Sequence, residues 1–159
     1  NLSTFVETGT AGGGTVKKMS KYFKKLYTVE LDPTLFHQGK AYVSNFKNIT
    51  CLEGDSGIVI KEILNKLDEP ALFWLDAHYS GRGTAKGETD TPIEKELQLI
   101  LKHRQKNNVV MVDDVREFDG RNDYPALKQI VDMIKRETPW YKVSQISDLL
   151  IIEPVNKDF

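Results

Sequence analysis

The chain has 159 residues, and its 22 lysines and arginines nearly balance 23 aspartates and glutamates, for a formal net charge of −1. This length suits one domain with a single core, predicted over residues 1–159. The charge gives no global attraction to nucleic acid or acidic membranes, so neither is expected as a partner. The single cysteine, Cys51, excludes an internal disulfide, and no apolar run approaches the roughly 20 residues that cross a bilayer, so we expect a cytoplasmic protein.

The chain opens with Asn1 and reaches its first strand-like run almost at once. We therefore expect an N-terminal portion, able to carry substrate contacts, to be missing. From that first run onward, strand-like runs alternate with helical patterns. The predicted strands are 4–6, 26–31, 49–52, 71–75 and 109–112.

Helical patterns fill the intervals between these strands. The predicted helices are a stripe of Val16, Met19, Phe23 and Leu26, a helix from Pro33 through Tyr42, a stripe of Ile60, Ile63, Leu64 and Leu67, a helix capped by Thr91, and a stripe of Leu127, Ile130, Val131 and Ile134. This alternation is typical of βαβ units on a mostly parallel sheet with helices on both faces.

Two later segments differ from this alternation. Tyr79 to Asp90 holds three glycines and little apolar content, which predicts a mobile loop able to close over a ligand. Trp140 to Ile146 and Leu149 to Ile152 are strand-like runs joined by two residues. So short a link cannot hold a crossover helix, so this C-terminal strand pair must be antiparallel.

A glycine-rich turn follows the first strand, at Glu7 to Thr15, and leads into the first helix. Glycines at such a turn allow close approach of a ligand, so we expect contacts from the turn residues Thr8, Gly9, Gly12 and Gly13. A tight connection also needs glycine for purely conformational reasons. Glu30 ends the second strand, where a carboxylate can accept both hydroxyls of an adenosine ribose.

These residues resemble the class I S-adenosylmethionine-dependent methyltransferases. In that family an acid stands two places before the first glycine, as Glu7 does before Gly9, and a second acid ends the second strand, as Glu30 does. An acidic loop after the third strand contacts the adenine, which matches Asp55 with Ser56 beside it. The resemblance implies a Rossmann-like methyltransferase fold with a mostly parallel seven-stranded sheet, and S-adenosylmethionine as the cofactor.

An NAD-dependent oxidoreductase or epimerase is the nearest enzymatic alternative. Its usual fingerprint is G-x-G-x-x-G, whereas here Gly9 is followed by Thr10, Ala11 and three consecutive glycines. A carboxylate at Glu7 would also repel a pyrophosphate, while it attracts the ammonium of an amino acid. A non-catalytic cofactor-binding scaffold is the remaining alternative.

Polar residues follow the fourth and fifth strands, and they are Asp76, His78, Asp113 and Asp114. Carboxylates brought to one sheet edge repel each other unless a cation bridges them, so we expect Asp76, Asp113 and Asp114 to hold Mg²⁺. The same pattern resembles metal-dependent small-molecule O-methyltransferases, including those acting on sugars of macrolide antibiotics. A capping role for the two later aspartates is the alternative.

The sequence therefore predicts a methyltransferase that acts on a hydroxyl of a small molecule, with His78 and Asp76 as catalytic residues. Coordination to a metal would lower the pKa of the hydroxyl, and His78 would take its proton. Asp76 is also expected to contact the cofactor.

Overall fold

The computed structural model describes residues 2–77, 91–121 and 123–155. In chain order the elements are β1 (Thr4–Thr8), α1 (Gly14–Met19), β2 (Lys25–Glu30), α2 (Pro33–Tyr42), β3 (Ile49–Glu53), α3 (Ser56–Asn65), β4 (Ala71–Leu75), α4 (Ile93–Leu101), β5 (Val109–Val112), a 3₁₀ turn (Val115–Glu117), α5 (Leu127–Glu137), β6 (Tyr141–Ile146) and β7 (Leu149–Pro154).

The strands form one seven-stranded sheet in the order β3-β2-β1-β4-β5-β7-β6. Strands β1 to β5 run parallel, whereas β7 is antiparallel to both β5 and β6. The predicted Rossmann-like fold and antiparallel C-terminal pair are therefore confirmed. The strand order reverses between β1 and β4, and in open α/β sheets ligands bind outside the carboxyl ends at such a switch point.

Alternating residues of β1 face two different cores. Val6 packs on the side of α3, α4 and α5, in a large cluster that includes Ile63, Leu97 and Ile130. Phe5 packs on the other side in a smaller cluster with Val16 of α1. Both faces of the central strands are thus buried, which fixes the register of β1 against β2 and β4 and places their carboxyl ends together.

The first helix is shorter than its apolar spacing predicted. It ends at Met19, and Leu26, which the spacing assigned to the same helical face, lies in β2. Phe23 follows the helix, and its ring lies 5.3 Å from that of Phe5. All these side chains cover the same small core. The apolar spacing therefore predicted correctly that these side chains are buried, but it was wrong to place Phe23 and Leu26 in the helix.

Other predicted helix starts agree more closely with the structure. Asp32 caps α2 by accepting hydrogen bonds from the backbone N–H groups of Thr34 (2.8 Å) and Leu35 (3.0 Å). Helix α4 begins at Ile93, whose N–H donates to Thr91 Oγ1 at 3.3 Å, so Thr91 keeps part of its predicted capping role. Among the described helices, none is long and apolar enough to cross a membrane.

Candidate functional site

The glycine-rich turn is held tightly against the neighbouring strands. The backbone N–H groups of Gly9 and Thr10 both donate to the carbonyl of Val29, at 2.9 and 3.1 Å. Gly9 has φ +85°, and a Cβ there would lie 2.5 Å from the carbonyl oxygen of Asp76. Gly9 therefore has a structural reason to be glycine, since it lets β1 and β4 meet at the switch point.

Gly12 differs from Gly9 in its surroundings. A Cβ at Gly12 would meet no heavy atom within 4 Å, and the residue is exposed. No packing or positive φ among the described residues requires glycine at this position. A bound ligand that approaches the backbone closely would require it.

Glu30 ends β2 beside this turn and holds it in place. Its Oε2 accepts a hydrogen bond from the Ala11 N–H at 2.8 Å, and its Oε1 accepts one from the Asp32 N–H at 3.0 Å. The residue is only 8% exposed. Each carboxylate oxygen has a second lone pair, so Glu30 can hold the turn and still accept ribose hydroxyls.

Glu7 is buried at the end of β1, next to two hydroxyl groups that the sequence did not single out. Thr28 Oγ1 donates to Glu7 Oε2 at 2.6 Å, and Thr10 Oγ1 lies 2.6 Å from Thr28 Oγ1. Burial raises the pKa of Glu7 to about 7, with Asp76 and Glu30 adding to the rise and Thr28 opposing it. A nearby ammonium group would favour ionised Glu7.

Asp55 and Ser56 begin α3 at the end of the third strand. Asp55 Oδ1 accepts a hydrogen bond from the Gly57 N–H at 2.8 Å and so caps the helix. Ser56 is buried. Both residues lie at the expected edge of the sheet, and the observed role of Asp55 is capping.

A cleft lies at the carboxyl ends of β4 and β5. It is shallow and open to solvent. Its lining residues are Leu75, Asp76, Ala77, Thr91, Ile93, Glu96, Val112, Asp113, Asp114, Phe118 and Tyr124. The three aspartates of the predicted metal site therefore do line one cleft.

In the described residues, Asp113 and Asp114 are engaged with other partners. Asp114 has φ +58°, and its Oδ1 pairs with Arg116 Nη1 at 2.7 Å. Asp113 Oδ1 accepts a hydrogen bond from the Asp114 N–H at 2.9 Å. Over residues 2–77, 91–121 and 123–155, no group of three or more acidic, histidine or cysteine side chains is arranged to hold a metal. Arg116 supplies a positive charge that the sequence argument assigned to Mg²⁺.

Two predicted features lie outside the described residues. They are His78, expected to be the catalytic base, and the loop predicted from Tyr79 to Asp90.

Glu96 is a cleft residue that the sequence reading missed. It lies in α4 on the same side as Ile93 and Ile100, and it is 1% exposed. Burial raises its pKa to about 7, although the hydroxyl groups of Ser56 and Thr8 oppose the rise. The available signal was its spacing, since a glutamate three residues after Ile93 and four before Ile100 stands in the apolar stripe of the helix.

The strand order, the glycine turn at the switch point and the acids that end β1 and β2 together define the fold of the class I S-adenosylmethionine-dependent methyltransferases. Comparison with solved structures supports the same fold. The O-methyltransferase from Bacillus cereus in complex with SAH (S-adenosylhomocysteine) is 16% identical; the match covers 97% of this chain and 74% of that chain, with a TM-score of 0.71.

Two further solved structures of the same fold differ in what they act on or bind. An rRNA methylase from Streptococcus thermophilus is 14% identical, with 98% of this chain and 88% of that chain covered and a TM-score of 0.62. The MycE methyltransferase of the mycinamycin biosynthetic pathway, in complex with Mg and SAH, is 12% identical, with 99% and 46% covered and a TM-score of 0.65. No protein-family model and no curated protein sequence matches this chain. At these identities the comparisons show the fold.

Proposed function

We propose that this protein is an S-adenosylmethionine-dependent methyltransferase that methylates a hydroxyl group of a small molecule, such as a sugar or natural product. The observation that carries the proposal is the turn between β1 and α1. Glu7 and Glu30 flank it at two adjacent strand ends, and Gly12 leaves open space beside it. An adenosyl amino acid would use such a surface, with one carboxylate for the ribose hydroxyls and another for the ammonium group.

Each polar group at this edge has a proposed partner in the cofactor. Glu30 would accept the ribose hydroxyls with the lone pairs that Ala11 and Asp32 leave available. Asp55 and Ser56 would lie beside the adenine, at the next strand end. Glu7 would face the ammonium group, directly or through water, and would ionise as the ammonium binds.

The same buried Glu7 argues against a nicotinamide dinucleotide. A pyrophosphate placed on this turn would approach a carboxyl group that lies in a site of low polarity, where repulsion between like charges is large. An S-adenosylmethionine molecule brings positive charge to the same place. Turnover with a methyl acceptor would distinguish the enzyme from a cofactor-binding scaffold.

The cleft at the ends of β4 and β5 is the proposed acceptor site. In the transfer, a lone pair of the acceptor oxygen attacks the methyl carbon from the side opposite sulfur. The new C–O bond forms as the C–S bond breaks, the electron pair stays on sulfur, and the hydroxyl proton passes to a base. Asp76 lies where the turn and the cleft meet, since its carbonyl packs on Gly9 and the residue also lines the cleft. His78 as the base stays a prediction.

Assistance by Mg²⁺ also stays a prediction, and the transfer described above does not depend on it. Asp114 would have to leave Arg116 for the three aspartates to bind one ion. Methylation that is undiminished in excess chelator would remove the metal from the mechanism. A loss of activity that Mg²⁺ restores, together with weaker Mg²⁺ binding by Asp113→Ala, would support it.

Calorimetric titration tests the proposed function directly. Wild type should bind S-adenosylmethionine and SAH, with no comparable response to NAD or NADP. Glu30→Ala should weaken SAH binding by about 1.5 to 3 kcal/mol, the range for a hydrogen bond to a charged group. Glu53→Ala is the matched control, because Glu53 is the register partner of Glu30 on β3 and is exposed. Equal loss in both variants, or none in Glu30→Ala, would refute the ribose role.

A further inference from the structure

Glu96 carries a feature that the fold does not require. It is buried in the apolar stripe of α4, and its Oε1 makes no hydrogen bond within the described residues. A buried polar atom without a partner costs free energy, and a leucine at this position would avoid that cost. Such an unsatisfied group in a native structure calls for a functional explanation.

The location of Glu96 joins the two halves of the proposed site. On one side, the hydroxyls of Thr8, at the end of β1, and Ser56, at the start of α3, are close enough to influence its carboxyl group. On the other side, Glu96 lines the cleft at the ends of β4 and β5. The residue therefore lies between the proposed cofactor surface and the proposed acceptor site, where the methyl group would be transferred.

The cleft around Glu96 favours a particular chemistry in its ligand. Asp76, Asp113 and Asp114 line it with Glu96. Arg116 pairs with Asp114 from outside the lining, and none of the described lining residues is itself a lysine, arginine or histidine. Phe118 and Tyr124 form an aromatic wall, with their rings 5.6 Å apart at an interplanar angle of 82°. A phosphate or carboxylate would be repelled here, whereas a ring that bears hydroxyl or amine donors would find acceptors and an apolar surface.

We propose that Glu96 is an acceptor-binding residue, whose carboxylate accepts a hydrogen bond from the group that receives the methyl, directly or through one water. This inference rests on the proposed function and narrows its substrate class. The acceptor is an uncharged or cationic molecule that presents a hydrogen-bond donor at the reacting atom. A ligand donor would satisfy the carboxyl oxygen that the described residues leave without a partner.

Sinefungin provides a probe for this hydrogen bond before any acceptor is known. In this analogue of S-adenosylmethionine, a carbon that bears a protonated amine replaces the methylsulfonium, so a donor occupies the reacting end of the cofactor. SAH keeps the amino-acid ammonium but has neither this additional amine nor the methyl group. The experiment compares calorimetric affinities of sinefungin and SAH for wild type, Glu96→Gln and Glu94→Gln. Glu94 is the matched control because it is exposed on the same helix.

We expect wild type to prefer sinefungin to SAH, and Glu96→Gln to reduce that preference about tenfold or more, as the loss of a charged hydrogen bond predicts. SAH affinity should stay within about twofold in both variants, which also verifies folding. Glu94→Gln should leave the preference unchanged. Equal weakening of both ligands by Glu96→Gln, or an unchanged preference, would overturn the assignment.

A crystal structure of wild type with sinefungin gives a second measurement that needs no variant. The amine nitrogen should lie within hydrogen-bond distance of a Glu96 oxygen or of one water bound to it. An amine bonded only to other groups would overturn the assignment of Glu96 and leave the methyltransferase proposal standing. Failure of wild type to bind SAH, S-adenosylmethionine and sinefungin would instead overturn the proposed function, and the assignment of Glu96 with it.

Discussion

Gly9 and Gly12 of the glycine-rich turn differ in the reason for which each is glycine. Gly9 is glycine because its φ is +85° and the carbonyl of Asp76 occupies the space of a Cβ. Gly12 meets nothing within 4 Å. In the sequence both are simply glycines after a strand, so only the structure separates the conformational requirement from the space available to a ligand.

This difference predicts opposite outcomes for two alanine substitutions. Gly9→Ala should destabilise the fold by about 2 kcal/mol or more, because a strained backbone and a close contact with Asp76 combine. Gly12→Ala should change the free energy of unfolding by less than about 0.5 kcal/mol, as for other surface positions, yet weaken SAH binding. Denaturant unfolding and calorimetry measure the two effects. A Gly12→Ala variant with wild-type SAH affinity would show that the ligand does not use this space.

At the scale of the elements, α2 and α3 start in the same way. Each follows a strand end, and each has an aspartate that caps its first turn, Asp32 for α2 and Asp55 for α3. The sequence assigned Asp55 to adenine through a family resemblance and overlooked its capping role. The capping contact is compatible with a contact to adenine, because the cap uses one oxygen of Asp55 in the described contacts.

Alanine substitution at these two caps separates the roles. Asp32→Ala and Asp55→Ala should each destabilise the protein by about 1 kcal/mol, the usual loss of an N-cap. Only Asp55→Ala should also weaken SAH binding, because only α3 begins at the proposed adenine site. Thermal unfolding and SAH titration of both variants provide the comparison. Equal SAH affinities would assign Asp55 to capping alone.

The elements also show which parts of the architecture a sequence can predict. The strands β1 to β5 were predictable because each is a short run that contains apolar or β-branched residues, and the central strands β1, β2 and β4 are largely buried. The two-residue link at Ser147 and Asp148 determined the antiparallel end of the sheet. Helix α1 was not predictable, since Phe23 and Leu26 are apolar through burial in the same core rather than through helical spacing.

The sequence predicted the site residues at the strand ends but not the buried residue Glu96. Acids at strand ends are visible in sequence, so Glu7, Glu30 and Asp76 were placed at the correct edge. Glu96 was not, because its importance depends on Thr8 and Ser56, which lie far from it in the chain. The pairing of Asp114 with Arg116 was likewise missed, and the positive φ of Asp114 is not visible in the sequence.

For the molecule as a whole, burial of Glu7 and Glu96 reduces stability near neutral pH. Each has a pKa raised to about 7 in the folded protein, from an ordinary value of 4.5. The folded state therefore holds protons that the unfolded chain releases between these two values. Stability from this source is complete below about pH 4.5 and is lost as pH rises through about 7. Its upper limit is about 3.4 kcal/mol for each residue, at 1.36 kcal/mol per pKa unit.

Denaturant unfolding of the ligand-free protein from pH 5 to pH 8 should accordingly show a falling free energy of unfolding. Glu7→Gln and Glu96→Gln should each flatten the fall, and the exposed Glu62→Gln should not, which makes Glu62 the matched control. Asp132 and Glu137, whose pKa values are lowered by pairing with Lys128 and Lys102, act in the opposite direction and only at lower pH. They face water, so their contribution is small.

SAH should restore stability at pH 8 in wild type, because its ammonium favours the ionised Glu7. A wild-type stability that stays constant or rises between pH 5 and pH 8 would contradict the raised pKa values. It would also contradict the inference that ionised Glu7 is unfavourable until a cationic ligand binds beside it.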